Sequence, residues 1–505
     1  MKKIYTFICL LALCSLSSCS LKENTSSISV PGDFFRKYSE CQSVVNGCYI
    51  PLKSIYTYTY MIATECVTDH AFIASGTLDC RLDISPAIPR YGSTVWTQGY
   101  LGGQRCNFAV QGIENSTAIN ETQRAELLCE AKVLRAFYFY TLTCFFGDVP
   151  FYFDDVSDNA ALERISMLPR MSADSTRKAC IEDLKGIVDK VPQTRTSDNA
   201  GARLGASAGW MLIAKMAMWN KDYEEALSAL SHLEEIYGED LSVYDYAFNA
   251  SFRNHNTPES IMEVQHNYVE GGMNYTSNVA CICTPSCTMI YDESGNVVDA
   301  TFDGVSIPEL GHECTVWSAM RPCMMFSQGL QPKQGKDIRK DVNMAWEYNG
   351  QKFINGSERP WPGPKFWCPY MKVSNDGNNY KVFRYADAIL LQAEAWFYLG
   401  DNEKALHYLN KTRNRAGIGD YTYRTDVRLE EEIRNERSRE LWGEFQRKFD
   451  LVRWGIWYEK ILDASDYMTL KENALPCHRY YPIPDKEVVY SKNHLDNNEY
   501  KQYGL

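Results

Sequence analysis

Four short patterns in the chain have residue types and spacings that could support chemistry. Residues 205–209 (GASAG) match G-x-S-x-G, the pattern that places a serine nucleophile on a strand-to-helix turn. Residues 312–313 (HE) could begin a zinc-hydrolase helix, and the three cysteines within residues 281–287 could hold zinc. Cys19 ends an apolar N-terminal segment and could accept a lipid. These patterns would correspond to hydrolysis, metal chemistry and membrane attachment.

The surroundings of the first three patterns argue against catalysis and metal binding. A nucleophile elbow follows a buried strand, but the residues before Gly205 read SDNAGARL, which is a polar loop. His312 lacks the second histidine of a zinc-hydrolase helix, and no histidine pair follows the cysteines at finger spacing. The sequence therefore predicts no enzyme, no catalytic residue, no metal and no other cofactor. Two alternatives stay open, a glycosidase whose paired carboxylates are brought together by the fold, and calcium bound without EF-hand spacing.

The N-terminal segment predicts a lipoprotein. It reads MKKIYTFICLLALCSLSSC, with two lysines, an apolar run of secretory length and small residues immediately before Cys19. Residues 1–18 are interpreted as a signal peptide, and Cys19 as the lipidated first residue of the mature chain. Acyl chains on Cys19 would hold the protein on a membrane, because each buried CH2 contributes about 0.8 kcal/mol.

Composition excludes one class of partner. The formal net charge is -12, and it becomes -14 once Lys2 and Lys3 leave with the signal peptide. Nucleic acid is therefore not an expected partner. Of the 18 cysteines, fifteen remain after residue 19, an odd number that cannot all pair within the chain. In a chain of this length they are interpreted mainly as small buried residues.

Two similar segments predict the architecture. Residues 214–229 (AKMAMWNKDYEEALSA) and 393–408 (AEAWFYLGDNEKALHY) each resemble half of a tetratricopeptide repeat. Their alanines would let antiparallel helices approach closely, while Asp222 and Asp401 would cap the second helix of each pair. The fold class is therefore mainly α, with tetratricopeptide-like helix pairs in an α-α superhelical scaffold. The copies are far apart in sequence, so insertions must separate the pairs.

The predicted organisation divides residues 19–505 into three parts. The helical scaffold covers about residues 32–237 and 380–460, and a C-terminal tail covers 461–505. Residues 238–379 are interpreted as an irregular, loop-rich insertion, because glycine, proline and asparagine are scattered among its tryptophans and tyrosines. In an earlier stretch, Tyr56, Tyr58 and Tyr60 alternate as in a short strand. Arg437 interrupts an apolar helical stripe, so we expect its charge to enter the core beside a carboxylate.

An ordered set of motifs resembles the SusD/RagB family of surface lipoproteins from Bacteroidetes. The resemblance covers nearly the whole mature chain, although the final residues 496–500 (DNNEY) depart from the family's usual Gln-Asn-Pro-Gly-Tyr tail. After the lipidation motif at Cys19, the main segments are residues 46–49 (NGCY), 130–138 (EAKVLRAFY), 146–150 (FGDVP), 384–387 (RYAD), 410–417 (NKTRNRAG), 449–455 (FDLVRWG) and 481–484 (YPIP).

The resemblance implies a non-catalytic binding protein, lipid-anchored and surface-exposed on the outer membrane. Such a protein captures a nutrient glycan and delivers it to a SusC-like TonB-dependent transporter. A peptide-binding, RagB-like member of the family is the alternative, followed by a lipid-anchored glycosidase. Sugar rings stack on aromatic side chains, and polar groups orient them. The candidate ligand-binding residues are therefore Asp79, Arg81, Tyr291, Trp317, Trp346 and Trp361.

Overall fold

The computed structural model describes most of the chain after the predicted signal peptide. Cys19 and residues 1–18 lie outside the described part. The described residues are 34–505 apart from 74–78, 157, 270, 273, 286–289, 292, 293, 295, 299, 300, 303, 304, 307–315, 318, 349, 350, 354–358, 370, 372 and 373.

Helices dominate both ends of the described chain. In chain order they are α1 Tyr38–Ile55, α2 Tyr58–Thr64, α3 Tyr91–Asn115, α4 Glu121–Phe146, α5 Asn159–Ser166, α6 Ala173–Lys185, α7 Ala206–Trp219, α8 Tyr223–Tyr237, α9 Tyr246–Ala250, α10 Val279–Cys283, α11 Lys340–Asn343, α12 Tyr385–Tyr398, α13 Asn402–Arg415, α14 Asp426–Glu440, α15 Arg447–Arg453, α16 Trp457–Ala464, α17 Met468–Asn473, α18 Asp485–Tyr490 and α19 Asn498–Lys501.

The strands are short and form small antiparallel sheets. They are β1 Ala71–Ile73, β2 Ser260–Val264, β3 Ile290–Tyr291, β4 Val297–Val298, β5 Thr301–Phe302, β6 Val305–Ser306, β7 Met320–Pro322, β8 Met344–Ala345, β9 Glu347–Tyr348, β10 Gln351–Phe353, β11 Trp361–Pro362 and β12 Tyr380–Arg384. Four two-stranded ribbons pair β1 with β7, β8 with β11, β2 with β12, and β5 with β6. A four-stranded sheet has the order β4-β3-β10-β9.

The two predicted repeat pairs are present and pack together. Helix α7 packs on α8, α12 packs on α13, and α12 also contacts α8. The alanines that were expected at the helix contacts are fully buried, namely Ala214, Ala226, Ala393 and Ala405. Asp222 accepts a hydrogen bond from the Glu225 N–H at 3.2 Å, and Asp401 accepts one from the Lys404 N–H at 3.0 Å. The predicted caps and the helix-pair fold class are thereby confirmed.

The part of the predicted insertion that the structure describes consists mostly of the short ribbons and of turns. The longest ribbon pairs β2 with β12 and joins this part to the second repeat pair, because β12 runs directly into α12. The exact limits of the scaffold, the insertion and the C-terminal tail stay a prediction.

The strand prediction for the early tyrosines is wrong. Tyr58 and Tyr60 lie in helix α2, whose first turn is capped by Thr57. Tyr56 lies just before this helix, and its ring stacks on that of Tyr60 with centroids 4.3 Å apart. Three residues spaced two apart do not distinguish a strand from a helix. In the structure the Tyr56 and Tyr60 rings are buried in the core, and the partly buried Tyr58 packs against it.

The cysteines of the described residues are small core residues. All thirteen of them are buried. Burial raises the pKa of the Cys281 thiol to about 11 and raises that of Cys283 as well, so both stay protonated at neutral pH. In the described part of the chain, no group of three or more His, Cys, Asp or Glu side chains is arranged to hold a metal ion.

Arg437 enters the core as predicted. Its Nε and Nη2 donate to Asp450 Oδ2 at 3.0 and 2.9 Å, and its Nη1 lies 2.9 Å from Asp387 Oδ1. Asp387 also accepts from the buried Lys215 ammonium at 2.9 Å. The guanidinium therefore bridges helices α12, α14 and α15, and each buried charge in the bridge has a partner of opposite sign.

Replacing Arg437 by Met should destabilise the protein without affecting ligand binding. The substitution leaves the Asp387 and Asp450 carboxylates buried with less compensation, which costs about 3–5 kcal/mol. The free energy of unfolding from denaturant titration checks the cost. A matched surface variant, Arg428→Met, should unfold like the wild type, because Arg428 is largely exposed and pairs with an exposed Glu431. Lost binding with an unchanged melting temperature would refute this role for Arg437.

A second buried ion cluster predicts acid sensitivity. Arg339 ion-pairs with Glu436 at 2.8 Å and with Glu440 at 3.0 Å. Despite burial, Arg339 and Arg439 lower the pKa of Glu436 to about 2, and Arg415, Arg384 and Arg339 lower that of Glu440 to about 2. Since unfolded glutamate has a pKa of about 4.3, the unfolded chain binds more protons between these values. The stabilisation of the folded state by the ionised Glu436 and Glu440 carboxylates is complete above about pH 4.3, and it is lost as the pH falls toward 2.

Chemical denaturation at a series of pH values measures this loss. The free energy of unfolding should fall with decreasing pH across the window from about 4.3 to 2. Glu436→Gln should be less stable at neutral pH, and its pH slope in the same window should be shallower by about one proton. A Glu436→Gln slope equal to that of the wild type would contradict the assignment.

Candidate ligand-binding face

Two ribbons bring arginine and aromatic side chains to one surface. In the β1–β7 ribbon, Phe72 lies directly opposite Arg321. Opposed residues of an antiparallel pair project from the same side of the sheet, so these two side chains share a face. In the neighbouring β8–β11 ribbon, Trp361 lies opposite Ala345. The Arg321 guanidinium lies over the Trp361 ring at 3.6 Å from its centroid and so links the two ribbons.

A second set of contacts extends this surface toward the C-terminal helices. The Tyr467 ring stacks on Phe72 with centroids 6.0 Å apart, and its hydroxyl accepts a hydrogen bond from Arg81 Nε at 3.1 Å. The Arg359 guanidinium lies 5.3 Å from the Phe72 centroid on another side. We call this set the arginine–aromatic face, defined by Phe72, Arg81, Arg321, Arg359, Trp361 and Tyr467.

Positively charged guanidinium groups lie beside the aromatic rings of the face. Burial lowers the pKa of Arg321 to about 10, so the group still carries its proton at neutral pH. Arg359 is held by an ion pair with Asp466, whose Oδ2 also accepts the Met324 N–H at 2.6 Å. Planar guanidinium groups beside rings can hydrogen-bond sugar hydroxyls or carboxylates while the rings contact apolar CH groups.

Trp317 is the exposed aromatic residue nearest to β7 in the chain. Its side chain is 48% exposed. The ring meets Tyr58 edge-to-face with centroids 5.1 Å apart, and the backbone N–H of Trp317 donates to the backbone carbonyl of Cys281 at 2.8 Å. The Tyr58 contact therefore packs the indole against α2, while about half of the residue's surface is exposed.

Asp79 and Arg81, two of the candidate residues, lie in one short 3-10 turn. Asp79 is buried and accepts hydrogen bonds from the Tyr91 N–H and from the Tyr481 hydroxyl, each at 3.1 Å. Burial raises the pKa of this carboxyl. Asp79 therefore anchors the turn to α3 and to the C-terminal segment, while Arg81 reaches Tyr467 on the arginine–aromatic face.

The other aromatic candidates lie in or beside the short strands. Trp361 belongs to the arginine–aromatic face and is only 6% exposed. Trp346 is half-buried immediately after β8, and its indole Nε1 has no hydrogen-bond acceptor among the described residues. Tyr291 lies in β3, but its side chain falls outside the described residues. Direct ligand contact by any of the six candidates stays a prediction.

The serine of the G-x-S-x-G pattern lies buried in a helix. Ser207 is fully buried in the first turn of α7, and its Oγ lies 3.1 Å from Thr196 Oγ1. A nucleophile elbow would instead expose the serine at the end of a strand. The structure therefore agrees with the interpretation of this segment as the start of a repeat helix.

A cavity lined by parts of α1, α4 and β2 is separate from the arginine–aromatic face. It has a volume of about 500 Å³ and lies between α1 and β2. Within it, the Lys53 ammonium lies 4.3 Å from the Tyr275 ring centroid, and Glu130 ion-pairs with Arg203 at 2.7 Å. It shares no residue with the arginine–aromatic face.

Comparison with known proteins identifies the family. A family model described as "SusD family" matches residues 368–500, and a second described as "Starch-binding associating with outer membrane" matches residues 52–218. Together these matches cover more than half of the chain. The protein belongs to the SusD/RagB family. The resemblance found in the sequence is thereby confirmed, and the second description associates the matched region with the outer membrane.

Relatives and solved structures agree with this assignment. SusD-like protein P25 from Formosa agariphila is 23% identical over 543 aligned positions that cover 99% of each chain. A SusD superfamily protein from Bacteroides vulgatus has a similar structure, with a TM-score of 0.73 and 21% identity over 92% of this chain and all of the other. Surface glycan-binding protein A from Bacteroides thetaiotaomicron, solved with laminarihexaose, has a TM-score of 0.68 and 19% identity, covering 91% of this chain and 99% of the other. These structural similarities show the fold.

In this SusD/RagB-family chain, sequence reasoning missed four residues of the arginine–aromatic face, namely Phe72, Arg321, Arg359 and Tyr467. Phe72 lies in the short apolar run of β1, which looks like an ordinary core strand. Arg321 and Tyr467 are 146 positions apart in the sequence and meet the same ribbon only through the fold. The one available signal was that Arg321 and Arg359 each stand within four residues of a tryptophan, Trp317 and Trp361. Among the described residues, no helix combines the length and apolar character needed to cross a bilayer.

Proposed function

We propose that this protein is a non-catalytic, lipid-anchored surface protein that binds a nutrient glycan and delivers it to a SusC-like TonB-dependent transporter. The observation that carries the proposal is the arginine–aromatic face, together with the exposed Trp317, which stands three residues before β7 in the chain. Aromatic rings offer flat apolar surfaces to sugar CH groups, and guanidinium groups supply hydrogen-bond donors at the rim.

The shape of the face supports capture of a glycan. The rings of Phe72 and Trp361 are nearly buried, so they form a floor, whereas Trp317 projects into solvent. Loops on a rigid helical scaffold are the usual location of binding residues. The glycan-binding relative named above supports the same ligand class for this chain.

The environment of the sequence motifs supports a role without catalysis. Ser207 is buried in a helix, and the thiols of Cys281 and Cys283 are protonated. The carboxylates near the face, Asp79 and Asp466, are engaged by backbone or side-chain donors, and Asp466 pairs with Arg359. Groups held in this way serve structure and positioning.

Replacing Trp317 by Ala should weaken glycan binding at least about tenfold, which corresponds to about 1.4 kcal/mol. The full-length lipoprotein in detergent would be titrated calorimetrically against a panel of host and plant oligosaccharides. Because Trp317 is half-exposed and contacts mainly Tyr58, its removal should leave the melting temperature close to that of the wild type.

Tyr490→Ala provides the matched control, since Tyr490 is 71% exposed on α18 and contributes nothing to the arginine–aromatic face. It should bind like the wild type. Equal affinity of Trp317→Ala and wild type for the glycan that binds would refute the site. Saturable binding of peptides in place of every glycan would favour the peptide-binding alternative, and turnover of a glycan would favour the glycosidase.

Replacing Cys19 by Ser should release the protein from the membrane. The acyl chains on Cys19 are the proposed anchor, and loss of the thiol removes their attachment point. Fractionation of cells should then find the variant outside the membrane pellet, while metabolic labelling with a fatty acid should mark only the wild type. Cys14→Ser is the control within the same segment, and it should stay labelled and membrane-bound. Labelling of the Cys19→Ser variant would refute the assignment.

A further inference from the structure

A second cavity lies where several scaffold helices begin or end. It has a volume of about 320 Å³, and it forms where α4 ends, α6 begins, and α7 and α15 end. Its lining includes Arg170, Arg177, Trp219 and Tyr480. None of its lining residues belongs to the arginine–aromatic face.

Arg177 is the unusual group of this cavity. The residue is only 2% exposed, and its guanidinium lies 4.4 Å from the centroid of the Trp219 ring. Nη1 donates to Asp174 Oδ1 at 3.2 Å. The other two nitrogens, Nε and Nη2, are buried and have no hydrogen-bond acceptor among the described residues. The N–H groups of a buried guanidinium ordinarily all have hydrogen-bond acceptors, because a buried donor without an acceptor destabilises the folded protein.

Other arginines in the same core show what this donor edge binds. Arg447 directs Nε and Nη2 to the two oxygens of Asp69 at 2.7 and 2.6 Å. Arg384 directs the same two nitrogens to the two oxygens of Glu444 at 2.9 and 2.7 Å. The Nε–Nη2 edge thus takes a planar carboxylate in both cases, as its fork geometry favours.

The acidic groups around the cavity already have partners. Asp148 Oδ1 accepts the Ala173 N–H at 2.8 Å, Asp174 accepts from Arg177 Nη1, and Glu499 ion-pairs with Arg479. Arg453, the remaining cation of the lining, is paired with Glu394 and Asp450. These carboxylates therefore leave the Nε–Nη2 edge of Arg177 without an acceptor.

Two further features make the cavity favourable for an anion. The Arg170 guanidinium donates to the backbone carbonyls of Phe146, Asp148 and Asp496 at 3.1, 2.8 and 3.1 Å, and its Nη1 lies 3.9 Å from Asp496 Oδ1, so a carboxylate compensates its charge only at the edge of ion-pair distance. Helix α6, with 13 residues, directs its N-terminal end at the same place. The positive end of a helix dipole attracts anions.

From this geometry we infer that the cavity binds the carboxylate group of a small acidic ligand, with Arg177 as its bidentate partner. A free carboxylic acid and a uronic acid sugar share this chemistry. A sugar would also place its ring against Tyr480. The site is independent of the proposed glycan site, because the two share no residue and lie on different elements.

Calorimetric titration of the full-length lipoprotein at constant ionic strength tests the inference. The probes are acetate, glucuronate, glucose and sulfate. The wild type should bind acetate and glucuronate saturably and should not bind glucose. Arg177→Gln removes the charge and the fork, whereas Arg177→Lys keeps the charge and removes only the fork. Both should weaken carboxylate binding at least about tenfold.

Arg428→Gln is the charge-matched control, and it should bind like the wild type, since Arg428 is an exposed residue of α14. Trp317→Ala should also retain acetate binding, which separates this site from the glycan site. Tighter binding of glucuronate than of acetate would identify the ligand as an acidic sugar, and equal binding would identify a free carboxylate.

Three results would overturn the inference. They are no saturable binding of either carboxylate to the wild type, undiminished binding in a folded Arg177 variant, and a preference for sulfate over both carboxylates. Because the wild-type titration alone can give the first or third result, the test does not depend on the Arg177 variants being stable.

Discussion

A buried carboxylate on helix α14 sets the relative positions of the parts of this protein. Glu440 is fully buried and ion-pairs with three arginines, Arg339, Arg384 and Arg415, which come from the ribbon region, from β12 and from α13. Each buried charge would cost several kcal/mol if left alone, so the arrangement is stable only when all the partners are in place. This requirement joins the second repeat pair to the ribbons as one unit.

The same region leads directly to the proposed glycan site. Asn343, at the end of α11, donates to the Arg439 carbonyl of α14 at 3.0 Å, and its own carbonyl accepts from Trp442 Nε1 at 3.2 Å. Strand β8 follows Asn343 and pairs with β11, which carries Trp361, and Arg321 on β7 then covers the Trp361 ring. These buried contacts therefore connect α14 to the ribbons that carry the arginine–aromatic face.

The two proposed sites use different physical means. The arginine–aromatic face is built on ribbons, and its floor of nearly buried rings beside guanidinium groups suits a ligand that contacts it over a broad surface. The cavity at Arg177 is built from helix ends and has a single buried donor edge, which suits one small charged group.

The sequence by itself determined the repeat pairs, their caps and the burial of Arg437, because helical periodicity and capping are local and extend only a few residues. Its motif order also determined the family. It misassigned the early tyrosines, since three residues cannot distinguish a strand from a helix. Only the tertiary structure decided that Phe72, Arg321 and Tyr467 meet on one face, and that two donors of Arg177 are buried with no hydrogen-bond acceptor in the part of the chain that the structure describes. Those facts depend on contacts between residues far apart in the chain, and no local pattern encodes them.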